Sequence, residues 1–457
     1  MISLLKSSKA RQYLVVFIVN LTILTTGMSL AWPSPVLVKL RSIETPLHRR
    51  ITDEEGSWIV SIGSLCITFG LSFLGMLQDC IGRKYCLILT CIPKVLVSIL
   101  FVFAKDMWML IFGRAIIGSA DFYLLTVVPV YASEIADKDI RGSLGTFLQI
   151  FSSLGVVLTM SVGPFVSYTT YSIVFAAMNL FMSIPILFLP DSPFFLYSKG
   201  KKDKAIDVLK FLRGSEELAK EEISMYDKSL NNQKIEIKSL LKDRVFLKTL
   251  GISIIFGATT QVTGFNAISF YLQTILESTK TNLMPEIASI IISLIQLLAS
   301  CSSAFVIDRF QRKRMLITSF IGLLLGLIGM GAFFKIRENT QEVTGFMNYL
   351  PLISLILVVY CYSAGIGSLF WVVIAELFDG PARAVGVTIC IIVTSFGIFL
   401  TTKYFATLTT AIGPSMTYWF FGIACAFSAL FIYYCVPETK GKSFKEIQMA
   451  LGAKVGM

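Results

Sequence analysis

A chain of 457 residues in which 55% are hydrophobic and only 15% charged, with a mean hydropathy of +0.74, is too apolar for a soluble multidomain enzyme and reads as one polytopic membrane protein. Its formal net charge of +11 does not point to nucleic acid, because the Lys and Arg residues sit mainly between apolar runs, where membrane proteins use them to fix orientation. Its nine Cys are scattered singly, as at Cys66, Cys91, Cys301 and Cys425, which excludes a disulfide framework or a cysteine-rich metal site.

In chain order, Lys6, Lys9 and Arg11 precede an apolar run from about Tyr13 to Ala31. The order imitates a secretory leader, but the run is long and has no small-residue cleavage pattern, so it reads as the first span. The sequon Asn20-Leu21-Thr22 is hidden inside it. Further runs close to the ~20 residues needed to cross a ~30 Å hydrocarbon layer fall near 57–77, 86–104, 107–131, 144–163 and 170–189. Six more lie near 246–272, 286–306, 315–334, 350–375, 385–410 and 415–436. The expected fold is an all-α membrane protein with twelve transmembrane helices.

Arg83 and Lys84, Lys138 and Arg141, Arg309 to Arg314, and Arg383 all fall in even-numbered connections, and both termini are basic. The positive-inside rule therefore places those connections and both termini in the cytoplasm of a multi-pass cell-membrane protein. Lys39, Arg41, Arg49 and Arg50 in the first outer loop run against the rule, partly balanced by Glu44, Asp53, Glu54 and Glu55.

Asp191 to Lys248 is the one long polar interval. Within it, Ile206, Leu209 and Leu212 have helical spacing, so short amphipathic helices at the cytoplasmic face are expected rather than an inserted soluble domain. The interval separates two segments that repeat. Asp79, Arg83 and Lys84 correspond to Asp308, Arg312 and Lys313; Glu134 and Arg141 to Glu376 and Arg383; Pro190-Asp191-Ser192 to Pro437-Glu438-Thr439. Three signals in the same order, at the same ends of equivalent helices, imply a duplicated six-helix unit. The division is 1–190, a linker at 191–248, and 249–457. Duplicated halves about a midplane cavity suit a transporter whose halves rock. The repeated acids and bases read either as solvated loops or as gating ion pairs that break when the halves move; such pairs are individually weak, so several are needed.

These residues carry a family resemblance. The stretches Gly75 to Lys84, Gly113 to Gly118, Pro129 to Gly142, Pro190 to Leu196 and Pro437 to Gly441 resemble the signature motifs of the sugar porter family, within the major facilitator superfamily. Trp32-Pro33-Ser34-Pro35 and the loop lengths resemble its insect facilitated trehalose transporter-like branch. The resemblance implies a sugar site between the halves. It assigns that site Gln149 in the fifth span, Gln261 and Asn266 in the seventh with Thr260 in place of a glutamine, and Trp371 in the tenth. Gln296 stands where the family usually has asparagine, Thr394-Ser395 where it often has Asn-Trp, and Gln311 where it has a glycine. Ser368 and Phe370 replace prolines, so a straighter tenth helix is expected. Amides offer donors and an acceptor to hydroxyls. Each polar residue also has a plainer reading, as an amide bonded within a helix bundle.

Arg114 and Asp121 lie two turns apart on one helix face inside the fourth span. Proton-coupled members resembling this chain carry an acid in the first span, and Thr26-Gly27-Met28-Ser29 offers none. Asp121 reads either as a coupling group or as a counter-ion for Arg114 or Lys94; Lys403 reads as a side chain snorkelling to the interface. The expected protein is a facilitative carrier for a hexose or trehalose-class sugar. It is not an enzyme and is expected to need no cofactor. The alternatives are a proton-coupled symporter and a non-transporting sugar sensor, the latter usually needing a longer signalling tail than the residues after Lys440.

Overall fold

The computed structural model describes residues 7–42, 45–137, 141–231, 242–307, 309–339, 345–378, 380–442 and 444–451, without the side chains at 69–76, 79, 141–145, 227–231, 304, 380, 381 and 445. Every regular element among them is helical. A first set comprises α1 (Ser8–Ala31), α2 (Pro33–Arg41), α3 (Asp53–Ile81), α4 (Arg83–Val102), α5 (Met107–Ile135), α6 (Arg141–Val162) and α7 (Tyr168–Ser183). The linker forms α8 (Pro193–Ser198), α9 (Lys202–Arg213) and α10 (Glu216–Asn231). A second set comprises α11 (Arg244–Val262), α12 (Phe265–Phe270), α13 (Leu272–Thr279), α14 (Pro285–Val306), α15 (Arg312–Asn339), α16 (Leu350–Cys361), α17 (Gly367–Leu377), α18 (Gly380–Ile412), α19 (Pro414–Cys435) and the short tail helix α20 (Phe444–Ala450).

Eleven segments among the described residues are long and apolar enough to cross a membrane. The remaining one of the twelve expected spans is α3, 29 residues long and only partly described in its side chains. Helices are the natural solution, because a hydrocarbon solvent leaves no partner for an open backbone N–H or C=O. The same solvent accounts for exposed large side chains such as Leu89, Leu96, Phe305, Ile423 and Tyr434. On a water-facing surface they would be a liability.

Within the first set, α1 packs on α5, α6 and α7, and α4 on α5 and α7; in the second, α15 packs on α16 and α19, and α11 on α18 and α19. The sets meet along α6 with α14 and α3 with α18. Successive spans alternate in direction, so the starts of α1, α4 and α15 share an end with the linker, while α2, α13 and the end of α18 lie at the opposite end.

The linker is docked on the first set through a buried polar knot. Arg213 Nε is 2.7 Å from Asp137 Oδ1, its fork donates to both carboxylate oxygens of Glu222 at 2.8 and 3.0 Å, and Nη1 donates to the Ile135 carbonyl at 2.7 Å. Gln12 at the start of α1 closes the knot, donating to Asp137 Oδ2 at 2.7 Å and to the Leu212 carbonyl at 3.1 Å. The apolar stripe of α9 is Ala205, Leu209 and Leu212, while the expected Ile206 is only half-buried; a spacing of four then three keeps one face toward the protein. Arg213→Ala removes charge-assisted bonds from a site where the arginine is 6% exposed. It should lower stability by about 2–3 kcal/mol and speed protease cleavage between α8 and α10. Unchanged melting and cleavage would show that the knot does not hold the linker.

The cations between α1 and α3 find partners locally. Arg41 pairs with Asp53 at 2.8 Å, and Lys39 donates to the carbonyl of Pro164 at 3.3 Å. Arg49 pairs with Glu55, and that hydrogen bond holds the Glu55 carboxyl down at about 2.

Candidate functional site

The seventh expected span is not one helix. α11 ends at Val262, Gly264 adopts φ of +76°, and α12 starts at Phe265. A side chain at Gly264 would need the left-handed region and would strike the Phe421 ring, at 2.4 Å from an added Cβ. The break gathers polar groups from both sides. Asn266 Nδ2 donates to Gln261 Oε1 at 2.6 Å, Gln261 Nε2 donates to Thr260 Oγ1 at 3.3 Å, and Thr260 Oγ1 donates back to the Gly257 carbonyl at 2.7 Å. Thr260 and Gln261 are buried, and Asn266 is half-buried. These three sequence-predicted residues therefore form one hydrogen-bonded chain. Thr260, in place of an amide, accepts from Gln261 and uses its own proton locally.

The other candidates lie on α6, α14, α17 and α18. Trp371 on α17 is 39% exposed and meets Phe370 edge-on, with centroids 4.8 Å apart; Phe370 in turn packs on Phe256, one turn before Thr260. Gln149 on α6 and Gln296 on α14 are both half-buried. Each stands four residues from the hydroxyl pair Ser153 and Ser300, 2.6 Å apart, which joins the two sets. Because α6 and α14 run in opposite directions, the two glutamines flank that link on opposite sides, each about 6 Å along its helix. Thr394 Oγ1 donates within α18 to the Cys390 carbonyl at 2.6 Å, and Ser395 is buried.

The tenth span departs from expectation. Without its prolines it is still irregular, because Tyr362–Ile366 forms a π-helical segment between α16 and α17. Gly365 lets α15 come so close that an added Cβ would lie 2.7 Å from Ser319 Cβ. The Gly367 N–H bonds back to the Tyr362 carbonyl, and Ser368 Oγ donates to the Ser363 carbonyl at 2.9 Å. Widened turns of this kind kink a helix as proline does. The Tyr362 ring stacks on Phe265 at 3.5 Å and 8°, coupling this segment to the break in the seventh span.

At the linker end, the repeat has a geometric counterpart. Arg83 reaches Glu134 Oε1 from Nη2 at 3.1 Å, and Arg312 approaches Glu376 Oε1 at 3.9 Å. Both pairs lie within one set. Tyr131 donates to the Pro190 carbonyl at 2.7 Å, while Thr439 donates to Glu376 at 2.5 Å. Glu438 accepts from the backbone N–H groups of Arg312 and Lys313 at 3.0 and 3.1 Å, an anion at a helix N-terminus. Its counterpart Asp191 faces the start of α4. Burial pushes the Asp191 carboxyl up, while the backbone N–H groups of Ser192 and Lys84 and the charges of Lys84 and Lys201 pull it back. Arg383 donates to the Phe378 carbonyl at 3.1 Å. Asp308 and the side chains of Asp79 and Arg141 lie outside the described residues.

The intramembrane charges resolve differently from their spacing. Asp121 pairs with Lys94 on α4 at 2.5 Å and accepts from Thr26 at 3.0 Å; Lys94 also donates to Thr25 at 3.0 Å. Arg114, on the same face of α5, donates instead to the Ser29 carbonyl at 3.0 Å and lies 5.4 Å over the Trp32 ring. All three charges are buried inside the first set.

Sequence reasoning missed the links that join the two sets at the end opposite the linker. Lys403 does not snorkel. It is 8% exposed, donates to Ser57 Oγ on α3 at 2.9 Å and sits 4.1 Å above the Trp58 ring. Ser34 Oγ accepts from the Gln273 N–H at 2.9 Å, joining α2 to α13. The isolated lysine in an apolar run was the available signal, but its partner lies 346 residues away.

A family model described as sugar (and other) transporter matches residues 16–451. The chain is 27% identical over 452 residues to the facilitated trehalose transporter Tret1 of Polypedilum vanderplanki, covering 97% of this chain and 88% of that one. It is 29% identical over 454 residues to solute carrier family 2, facilitated glucose transporter member 8, of Bos taurus, covering 96% and 94%. The inward open conformation of the xylose transporter XylE from E. coli superposes with a TM-score of 0.81 at 19% identity, over 96% of this chain and 99% of that one, which is a likeness of fold.

Proposed function

The chain belongs to the family of sugar (and other) transporters, and on that premise we propose that it is a facilitative carrier for a small uncharged sugar, a hexose or trehalose, working by alternating access. Relatives named for trehalose and for glucose support that size range. The observation that carries the reading is the amide chain at the break of the seventh helix. Gln261 and Asn266 hold donors and acceptors at fixed positions inside an apolar bundle, as a polyol requires. In the proposed site, Gln149 and Gln296 supply further amides from the two sets, and the exposed indole of Trp371 covers the apolar side of the sugar ring.

The moving bodies are residues 1–190 and 249–457, joined by the linker at 191–248, with the linker end and both termini in the cytoplasm. The links at Ser34, Ser57 and Ser153 hold the outer and middle levels of the interface. At the linker end, Arg83, Glu134, Arg312 and Glu376 pair within their own sets. When that end closes, these groups, with Asp79, Arg141, Asp308 and Arg383, exchange partners across the two sets. Proton coupling finds no support in this arrangement: Asp121 is enclosed and held by Lys94, so its charge is already compensated.

Purified protein in phosphatidylcholine vesicles, given labelled glucose or trehalose with and without a pH gradient, tests the reading. The expected result is saturable uptake that stops at equal concentrations on both sides. Accumulation that collapses with the gradient would establish a symporter, and saturable binding without flux a sensor.

A further inference from the structure

The linker end carries a recess apart from the Arg83–Glu134 and Arg312–Glu376 pairs. A cavity of about 700 Å³ opens between the start of α4 and the turn from α8 to α9. Buried Phe195 and Leu196 form its apolar floor, and the exposed lysines Lys199, Lys201 and Lys204 form its rim. The Lys201 charge acts on Asp191 across the recess. Asp191 and Asp207 also face the recess, and one oxygen of Asp191 is buried without a hydrogen-bond partner.

Tyr85 stands at the mouth and begins a stripe along α4. Tyr85, Leu89, Ile92, Leu96, Ile99 and Phe103 are spaced four and three residues apart, on one helix face, and each is 42–68% exposed. The opposite face of α4, with Cys86, Thr90, Cys91 and Lys94, packs into the first set. The stripe runs for roughly 27 Å, most of a hydrocarbon layer. The recess therefore lies at the level of the membrane where phosphates and headgroups sit.

We propose that this recess binds the headgroup of an anionic phospholipid that also carries hydrogen-bond donors, such as phosphatidylserine or phosphatidylinositol. The three lysines take the phosphate, the carboxylates of Asp191 and Asp207 at the recess accept from the headgroup ammonium or hydroxyl, and an acyl chain lies along the α4 stripe. The stripe is what selects a lipid over a soluble phosphate with the same polar chemistry. An occupied recess ties the α8–α9 turn to the start of α4. Assignment to the cytoplasmic leaflet rests on the orientation proposed above, whereas the binding itself does not depend on transport.

The test is retention of lipid by the full-length detergent-purified protein, read by native mass spectrometry. Phosphatidylserine or phosphatidylinositol should stay bound where phosphatidylcholine does not. The triple variant Lys199→Gln, Lys201→Gln, Lys204→Gln should weaken that retention on the order of 100-fold without changing the melting temperature, since all three side chains are exposed. Tyr85→Ala should weaken lipid binding while leaving the lysines in place. Equal retention by wild type and triple variant, or equal retention of phosphatidylcholine, would overturn the proposal. Soluble glycerophosphoserine competing as well as the lipid would overturn the lipid assignment in favour of a free phosphate compound.

Discussion

Gln261→Ala should lower the specificity constant for sugar uptake by roughly 10- to 100-fold while surface expression and melting stay near those of the wild type. The amide of Gln261 does two jobs. Its oxygen accepts from Asn266 at 2.6 Å and its nitrogen donates to Thr260 at 3.3 Å, so truncation removes the proposed sugar contact and releases Asn266 from its orientation. If the two amides act as one unit, Asn266→Ala should have a similar effect and the double variant little more. Additive losses would show independent roles, and unchanged uptake by Gln261→Ala would remove it from the site.

The second large effect concerns the fold. Asp121→Ala strands Lys94, which is 1% exposed and has its ammonium 2.5 Å from the lost carboxylate. Breaking a buried pair from one side costs about 3–5 kcal/mol, so this variant should show a sharply lower melting temperature and a poor monodisperse yield in detergent. The double variant Lys94→Met, Asp121→Leu removes both charges and should recover most of that loss. It should also retain pH-independent uptake. A folded Asp121→Ala protein that still equilibrates sugar but no longer responds to a pH gradient would instead make Asp121 a coupling group.

What the sequence disclosed and what it withheld divide by range. Span positions follow from hydropathy, a local property, and the repeated acids and bases follow from identical local patterns. Both have counterparts in the helices and in the Arg83–Glu134 and Arg312–Glu376 pairs. The chain Thr260, Gln261, Asn266 was legible only through the family resemblance, whose motif keeps these residues within a seven-residue stretch around a glycine. Partner choice was not legible. Spacing within α5 placed Asp121 near Arg114, yet Lys94 from α4 is nearer, and nothing local separates those options. The π segment was invisible for the same reason, since it depends on Gly365 meeting Ser319 of another helix. Proline loss alone pointed the wrong way. Lys403 and the Arg213 knot likewise take their partners from distant segments.

One further consequence follows from the buried charges. Away from the helix ends, the described residues place Lys94 and Arg114 inside the first set against a single anion, Asp121. The interior thus holds a positive electrostatic potential. At 10 Å and an effective dielectric constant of about 20, the one surplus cation raises the energy of an entering monovalent cation by about 1.7 kcal/mol. Protons, sodium ions and cationic metabolites meet a barrier that an uncharged polyol does not feel. The translocation pathway can open to water on either side without becoming a leak for the ions whose gradients energise the membrane.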